Sequence, residues 1–183
     1  MARYKPIKIF ISYGRDETEK LKTLIDVLES LVNEGRIEVL YDRNISGGEN
    51  WEAEIFSFID DAELAILLLS WDFLSSKIIK EQEVPLIEQR YRKNKMRVLP
   101  ILVEQCDWEN PSWIKWVSEL KINVFMSENT KGLWENNDLN NELLRLVREI
   151  RNITSNMRIF PAKAVSRSNY LNVFPNEYVY LSS

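Results

Sequence analysis

An uninterrupted apolar run, Leu64–Leu69, limits the fold of this chain more than any other segment. A run of aliphatic residues without polar alternation is typical of a strand covered on both faces, as strands of parallel sheets are. On both sides of this run, apolar residues recur three and four positions apart, which indicates amphipathic helices. Strands that alternate with helices favour βαβ units. The chain is therefore predicted to be an α/β protein with a doubly wound parallel sheet.

Four further strands are predicted from short aliphatic or aromatic runs, at residues 8–12, 37–41, 98–103 and 122–126. Pro100 has no amide hydrogen, so the strand that contains it is expected near a sheet edge. In the helix after the first strand, Asp16 is the predicted N-cap and Gly35 the C-terminal glycine. A helix at about 76–92 contains Pro85, which is expected to interrupt it. The last predicted helix includes Leu139 to Ile150.

The right-handed crossover rule places all strand-to-helix loops at one edge of such a sheet, where open α/β sheets bind ligands. These loops are residues 12–16, 42–50, 70–76 and the segment from Glu104 onward. The chain has only five glycines, and two of them, Gly47 and Gly48, are adjacent in the second loop. Adjacent glycines permit close approaches of the backbone. The second loop is therefore a candidate ligand or partner loop.

Composition excludes several classes of function. A length of 183 residues suits one domain, and a net charge of -4 is not that of a nucleic-acid-binding surface. No apolar run is long enough to span a membrane, and the N-terminus does not resemble a signal peptide. The single cysteine, Cys106, excludes an internal disulfide and favours a cytoplasmic protein. The chain has no histidine, which removes imidazole catalysis and the common zinc sites.

The composition changes after Arg151. The residues that follow are rich in Asn, Ser and Pro and show no helical period. The predicted domain is residues 6–151, and residues 152–183 are a C-terminal extension or a linker to something else. Packing of this extension on the domain is favoured, because free linkers seldom contain so many aromatic residues.

Several blocks of sequence together resemble the bacterial branch of the TIR (Toll/interleukin-1 receptor) domain family. They are KIFISYGRDE at residues 8–17, the loop from Asp42 to Trp51, and AILLLSWDFLSSKIIKEQEVP at residues 65–85. These blocks stand in the order that the family shows, and the resemblance covers roughly residues 6–150. The resemblance implies a flavodoxin-like three-layer sandwich with a five-stranded parallel sheet, in agreement with the pattern of strands and helices.

The resemblance implies one of two roles. Many bacterial and plant TIR domains split NAD+ into nicotinamide and ADP-ribose or a cyclic isomer, whereas many animal ones are silent adaptors that assemble through TIR–TIR contacts. In the enzymes the central residue is a glutamate in the helix after the third strand, which corresponds here to Glu83, or to Glu81 if the register differs. NAD+ would be the substrate, with no cofactor or metal. Such chemistry suits a chain without histidine, since a carboxylate can stabilise an oxocarbenium-like transition state.

The remaining site predictions concern binding. Ser12, Tyr13, Gly14, Arg15, Asp42, Trp71 and Ser75 are candidates for substrate contacts, with Arg15 near a phosphate. Trp71 either stacks on a substrate ring or packs in the core, and packing is favoured. Ile45, Gly47, Gly48 and Trp51 are assigned to the loop that gates the site or mediates assembly, although Trp51 is more simply a core residue at the start of a helix.

The function predicted from the sequence is an NAD+ glycohydrolase activated by self-association, in bacterial antiviral defence. The alternative is a non-catalytic signalling scaffold. Expected partners are NAD+, further copies of the domain and possible sensor modules, without direct contact to nucleic acid or membrane.

Overall fold

Four parallel strands form a single sheet in the computed structural model of the chain, which describes residues 5–41 and 51–159 (for Trp51 and Ile159, the backbone only). The strands are β1 (Ile7–Ser12), β2 (Ile37–Leu40), β3 (Leu64–Leu69) and β4 (Arg97–Leu102). Their order across the sheet is β2-β1-β3-β4, with β1 paired to both β2 and β3. The α/β class and the parallel sheet predicted from the sequence are confirmed.

Helices connect the strands and cover both faces of the sheet. The α-helices are α1 (Thr18–Asn33), α2 (Trp51–Asp61), α3 (Trp71–Ser75), α4 (Val84–Arg92), α5 (Trp116–Glu119) and α6 (Leu139–Ile159). Short 3₁₀ turns occupy Arg15–Glu17 and Leu133–Glu135, and a π-helical turn, Ile79–Glu83, precedes α4.

Strand β3 is buried along its whole length, and its side chains divide between two hydrophobic clusters. Ala65, Leu67 and Leu69 pack with residues of α2 and α4 on one face. Leu64, Ile66 and Leu68 pack with residues of α1 and α6 on the other. This two-sided cover explains why the run carries no polar alternation.

The sequence predicted the C-terminal end of α1 correctly but not its N-terminal end. Gly35 follows the helix with φ of 66°, and the amides of Gly35 and Arg36 donate to the carbonyls of Val32 and Leu31. This is the Schellman arrangement, so the predicted C-terminal glycine is confirmed. The prediction of Asp16 as N-cap is wrong, because no side chain caps α1 and Asp16 lies inside the preceding 3₁₀ turn.

The predicted fifth strand, residues 122–126, is reduced to one bridge between Phe125 and Ile101. The amide of Phe125 donates to the carbonyl of Pro100, and the amide of Leu102 donates to the carbonyl of Phe125. Extension toward Asn123 would need an amide hydrogen on Pro100, which proline lacks. Extension in the other direction stops because the amide of Ser127 donates to Lys131 in a turn. The sheet therefore has four strands in the described residues, with β4 and its proline at an edge as predicted.

Helix α6 continues beyond Arg151, where the sequence pattern placed the end of the domain. Ile153 and Thr154 are buried, and Arg151 holds Glu34 at the end of α1 through two hydrogen bonds of 2.7 and 2.8 Å. The predicted boundary therefore falls inside α6. Residues 160–183, the rest of the predicted extension, lie outside the described part of the chain.

Candidate functional site

A serine and a glutamate meet at the carboxyl edge of the sheet. Ser12 is the last residue of β1, and its hydroxyl donates a hydrogen bond of 2.5 Å to Oε2 of Glu83. Both residues are buried, and only 7% of Glu83 is exposed. A buried carboxylate is costly without hydrogen-bond donors, so this pair needs a reason beyond packing. Ser12 and Glu83 are both residues that the sequence proposed for the site.

Glu83 is the last residue of the π-helical turn, and this turn determines where it points. The amide of Val84 donates to the carbonyl of Ile79, five residues back, instead of four. Pro85 follows directly, and a proline in a regular helix would clash with the carbonyl four residues before it. The wider turn accommodates this proline, so the predicted interruption at Pro85 is confirmed. Single π-helical turns are rare and recur at functional sites.

The alternative glutamate, Glu81, lies elsewhere on the same turn. Its side chain is more than half exposed and forms a long ion pair of 3.9 Å with Lys77. Glu81 also lines a shallow groove between α2 and α4, together with Phe56 and Leu86. Glu83 does not line this groove. The structure thus brings Glu83, and not Glu81, to the end of β1.

Gly14 allows the turn after β1 to approach helix α3 closely. A Cβ atom on Gly14 would lie 2.0 Å from Oδ2 of Asp72, much closer than any real contact. The same oxygen accepts a hydrogen bond of 2.8 Å from the amide of Asp16. Gly14, predicted as a substrate contact, therefore has a structural role that Asp72 explains. Sequence reasoning missed Asp72, whose only signal is its position directly after the loop tryptophan.

A second polar cluster lies at the same edge, on the side of the sheet that α1 covers. Lys20 bridges Glu17 and Glu104, with distances of 3.2 Å to each. Glu17 is buried, and this burial raises the pKa of its carboxyl group, although Ser70 and Lys20 oppose the shift. Burial alone would lower the pKa of Lys20, but the two glutamates outweigh it and the pKa is raised. Glu17, Lys20 and Glu104 are not among the site residues predicted from the sequence.

Trp71 joins this cluster through its backbone and not through the core. Its amide donates to Oε1 of Glu104 at 3.2 Å, while its side chain is 58% exposed. The favoured interpretation of Trp71 as a packing residue is therefore wrong. An exposed indole at the ligand-binding edge of an open sheet is available for stacking on a ring.

The other predicted contact residues lie around this edge at different depths. Tyr13 is partly buried and packs against the cluster beneath α1, whereas Arg15 is exposed. Ser75 is also exposed, and its hydroxyl donates to the carbonyl of Asp72 within α3. Asp42, Ile45, Gly47 and Gly48 lie outside the described residues. Helix α2 begins at Trp51 as predicted.

Several exclusions concern the described residues alone. No group of three or more acidic or cysteine side chains in residues 5–41 and 51–159 is arranged to hold a metal ion. In the same ranges, no helix combines the length and the apolar character needed to cross a membrane. Burial, together with nearby acidic groups, raises the pKa of Cys106 to about 12. A thiol with a raised pKa is mostly protonated near neutral pH, and the thiolate is the reactive form.

The TIR domain family profile matches residues 9–140, which is most of the described chain. The chain belongs to the TIR domain family. The buried Ser12–Glu83 pair lies inside the matched range, at the carboxyl edge of the parallel sheet.

Two solved TIR domains have the same fold. The TIR domains of the activated Roq1 resistosome, which directly recognises the pathogen effector XopQ, superpose with a TM-score of 0.54 and 17% identity. That match covers 79% of this chain and 99% of the other. The TIR domain of the Toll-related receptor TRR-2 from Hydra magnipapillata superposes with a TM-score of 0.51 and 20% identity, covering 78% and 97%. At these identities the likeness shows the fold.

One relative is similar in sequence. The uncharacterized protein y4lF of Sinorhizobium fredii is 29% identical over 102 residues, which are 56% of this chain and 32% of y4lF. The chain thus spans about a third of the length of this bacterial relative.

Proposed function

We propose that this TIR domain cleaves NAD+ at the bond between nicotinamide and ribose. The observation that carries the proposal is the buried Ser12–Glu83 pair at the ligand-binding edge of the sheet. Glu83 stands where the family resemblance expects the catalytic glutamate, and the hydroxyl of Ser12 fixes the rotamer of its carboxylate. A fold built only for stability would gain little from a carboxylate at this depth.

The reaction fits the residues at this edge. When the N-glycosidic bond breaks, its electron pair moves onto the pyridinium ring, and nicotinamide leaves as a neutral molecule. The ribose carbon develops oxocarbenium character, and the negative charge of Glu83 stabilises it. A water molecule then adds to this carbon and loses a proton, giving ADP-ribose; addition of an adenine nitrogen gives the cyclic isomer. No histidine is needed at any step.

The burial of Glu83 is the reason to link NAD+ cleavage to self-association of the domain. With 7% of its surface exposed, Glu83 does not meet a substrate until some of its cover moves. Strand β2 ends at Leu40 beside β1, at the same edge. Residues 42–50, including Ile45, Gly47 and Gly48, follow β2 in the chain and lie outside the described residues. We propose that self-association of TIR domains exposes Glu83. A sensor module or protein would drive the association, and consumption of cytoplasmic NAD+ would serve antiviral defence.

The decisive experiment compares the two glutamates of the π-helical turn. The chain is incubated with NAD+ at high protein concentration and with a crowding agent, and nicotinamide release is followed by chromatography. Glu83→Gln should abolish release, while Glu81→Gln, a matched change on the exposed side of the same turn, should retain it. Circular dichroism and thermal unfolding of both variants check that they are folded. Release that survives in Glu83→Gln, with loss in Glu81→Gln, would move the catalytic assignment to Glu81.

A non-catalytic scaffold is the second candidate, because the same burial that protects Glu83 also suits a purely structural hydrogen bond. It predicts concentration-dependent assembly without turnover under any condition. Light scattering and the nicotinamide assay on the same samples separate the two functions. Assembly that responds to Gly48→Ala or Ile45→Ala, together with no release from the assembled protein, would favour the scaffold.

A further inference from the structure

A groove beside the edge strand β2 is an apolar surface that the proposed reaction does not use. It is lined by Ile25 and Val32 of α1 and by Ile37, Val39 and Tyr41 at β2. Strand β2 is at one edge of the four-stranded sheet. Native proteins commonly cover such edges with another part of the structure. The groove therefore lies where a covering segment is expected.

The α1 side of the groove is a single helical stripe with an acidic rim. Ile25, Glu29 and Val32 are spaced four and three residues apart, so they share one face of α1. Val32 is 42% exposed, one of the largest exposures of an aliphatic side chain in the described residues. Asp26 and Glu38 add further negative charge to the lining. An occupant of this groove would be apolar, with basic residues nearby.

Helix α6, the last described helix, ends close to this groove. Near the end of α6, Arg158 donates hydrogen bonds of 3.0 and 2.8 Å to the carbonyls of Gly35 and Arg36. The next residue, Ile37, begins β2 and lines the groove. Helix α6 ends at Ile159. Helix α6 therefore ends beside one end of the groove, and residues 160–183 follow it in the chain.

The composition of these residues matches the groove. Lys163 and Arg167 come first, and two apolar runs follow, at 170–174 (YLNVF) and 178–181 (YVYL). The interval from Ile159 to residue 170 can reach about 36 Å when extended, whereas β2 is about 13 Å long. The basic residues can thus meet the acidic rim while the apolar runs reach its floor.

We propose that residues 170–181 of the same chain dock in the groove between α1 and β2. The docked segment covers Val32 and contacts strand β2. The docking follows from the groove, the end of α6 and the composition, and it does not depend on NAD+ cleavage.

Hydrogen exchange measured by mass spectrometry on the full chain tests this docking. Peptides from residues 170–181 should exchange at least about tenfold more slowly than the same isolated peptide, because burial of apolar side chains is worth at least that factor. Val32→Asp should remove this protection. Leu144→Asp replaces a similarly exposed aliphatic residue on α6, outside the groove, and should leave the protection unchanged. Amides of Leu64–Leu69 report whether each variant is folded.

A variant in the docked segment tests the proposal without changing any residue of α1. Tyr178→Ser combined with Tyr180→Ser should speed exchange in residues 37–41 without affecting β3. Exchange of residues 170–181 at the rate of the isolated peptide would overturn the proposal, and so would equal protection in the parent and Val32→Asp. Protection that grows with protein concentration would also overturn it, because a second copy would then be the occupant.

Discussion

Ser12 and Glu83 are 71 residues apart in the sequence, and their side chains form a buried hydrogen bond of 2.5 Å. The bond joins the end of β1 to the π-helical turn before α4. It therefore connects the central sheet to the helix that carries the proposed catalytic group. The pair affects both the stability of the fold and the proposed cleavage of NAD+, and the two effects can be measured separately.

Ser12→Ala should lower the free energy of unfolding by about 1.5–3 kcal/mol, since hydrogen bonds to charged groups fall in that range. The loss arises because the carboxylate of Glu83 stays buried with one donor fewer. Urea denaturation measures the change. Ser75→Ala is the matched control, because its exposed hydroxyl bonds only within its own helix, and it should cost less than about 0.5 kcal/mol. Equal costs in the two variants would show that the buried bond is energetically unimportant.

Gly14→Ala should destabilise the protein by about 1–3 kcal/mol, because its new methyl group would overlap the carboxylate of Asp72. The cost should fall when Asp72→Ala is present, since two of the three overlapping atoms are then absent. A double-mutant cycle measured by thermal unfolding gives this coupling. Gly35→Ala is a useful contrast: nothing surrounds its Cβ position, and its cost comes from φ of 66° alone, which Asp72→Ala should not relieve. Additive effects of Gly14→Ala and Asp72→Ala would contradict the steric explanation.

Much of this fold could be predicted from local patterns. The run Leu64–Leu69 indicated a strand covered on both faces, and Gly35 marked the end of α1, because both signals depend on residues close in sequence. The reduction of the predicted fifth strand to a single bridge could not be foreseen, since its hydrogen bonds depend on a missing amide in another strand, at Pro100. The length of α6 was underestimated because its last turns are held by Glu34, Gly35 and Arg36, far away in the chain.

The candidate site was predictable only in part. Glu83 was proposed from its family context, but the direction of its side chain depends on the hydrogen-bond shift in the π-helical turn, which the sequence predicted only as an interruption at Pro85. Asp72 and the cluster of Glu17, Lys20 and Glu104 come from separate elements at one edge of the sheet. Single charged residues in such elements look like ordinary surface residues until the fold brings them together. Trp71 was misjudged because hydrophobicity alone favours burial, whereas its side chain is exposed in the structure.

Pro100→Val should extend the contact between β4 and the segment around Phe125. The new amide at position 100 would face Asn123, and a parallel ladder could then continue beyond the single bridge at Phe125. The free energy of unfolding should change by less than about 1 kcal/mol, because the added bond is offset by the loss of proline's rigidity in the unfolded chain. Hydrogen exchange resolved by NMR should show slow exchange at residue 100. Fast exchange there would mean that something other than the missing amide ends the fifth strand.

Trp71→Ala should weaken substrate binding without weakening the fold. Its side chain is 58% exposed, so removal should change the free energy of unfolding by less than about 0.5 kcal/mol. If the indole stacks on a ring of NAD+, KM should rise about fivefold or more while kcat changes less, since stacking on an aromatic residue is worth about 1–3 kcal/mol. Phe56→Ala, a similar loss of an exposed aromatic residue in the groove between α2 and α4, should leave KM unchanged. A KM unaffected by Trp71→Ala would remove this residue from the substrate site.

The contact between α1 and α6 should weaken in acid through Glu34. Hydrogen bonds from Arg151 and Arg36 lower the pKa of this carboxyl group from 4.5 to about 2. A depressed pKa means that the ionised group favours the folded state, so this stabilisation is complete above pH 4.5 and is lost as the pH falls toward 2. Glu34→Gln should therefore be less stable than the parent at neutral pH, and the difference should vanish near pH 2. Urea denaturation across this range measures it, and Arg151→Gln should show a smaller pH dependence of the same sign, because Arg36 still donates to Glu34. A difference that persists unchanged at pH 2 would mean that the glutamine itself disturbs the end of α1.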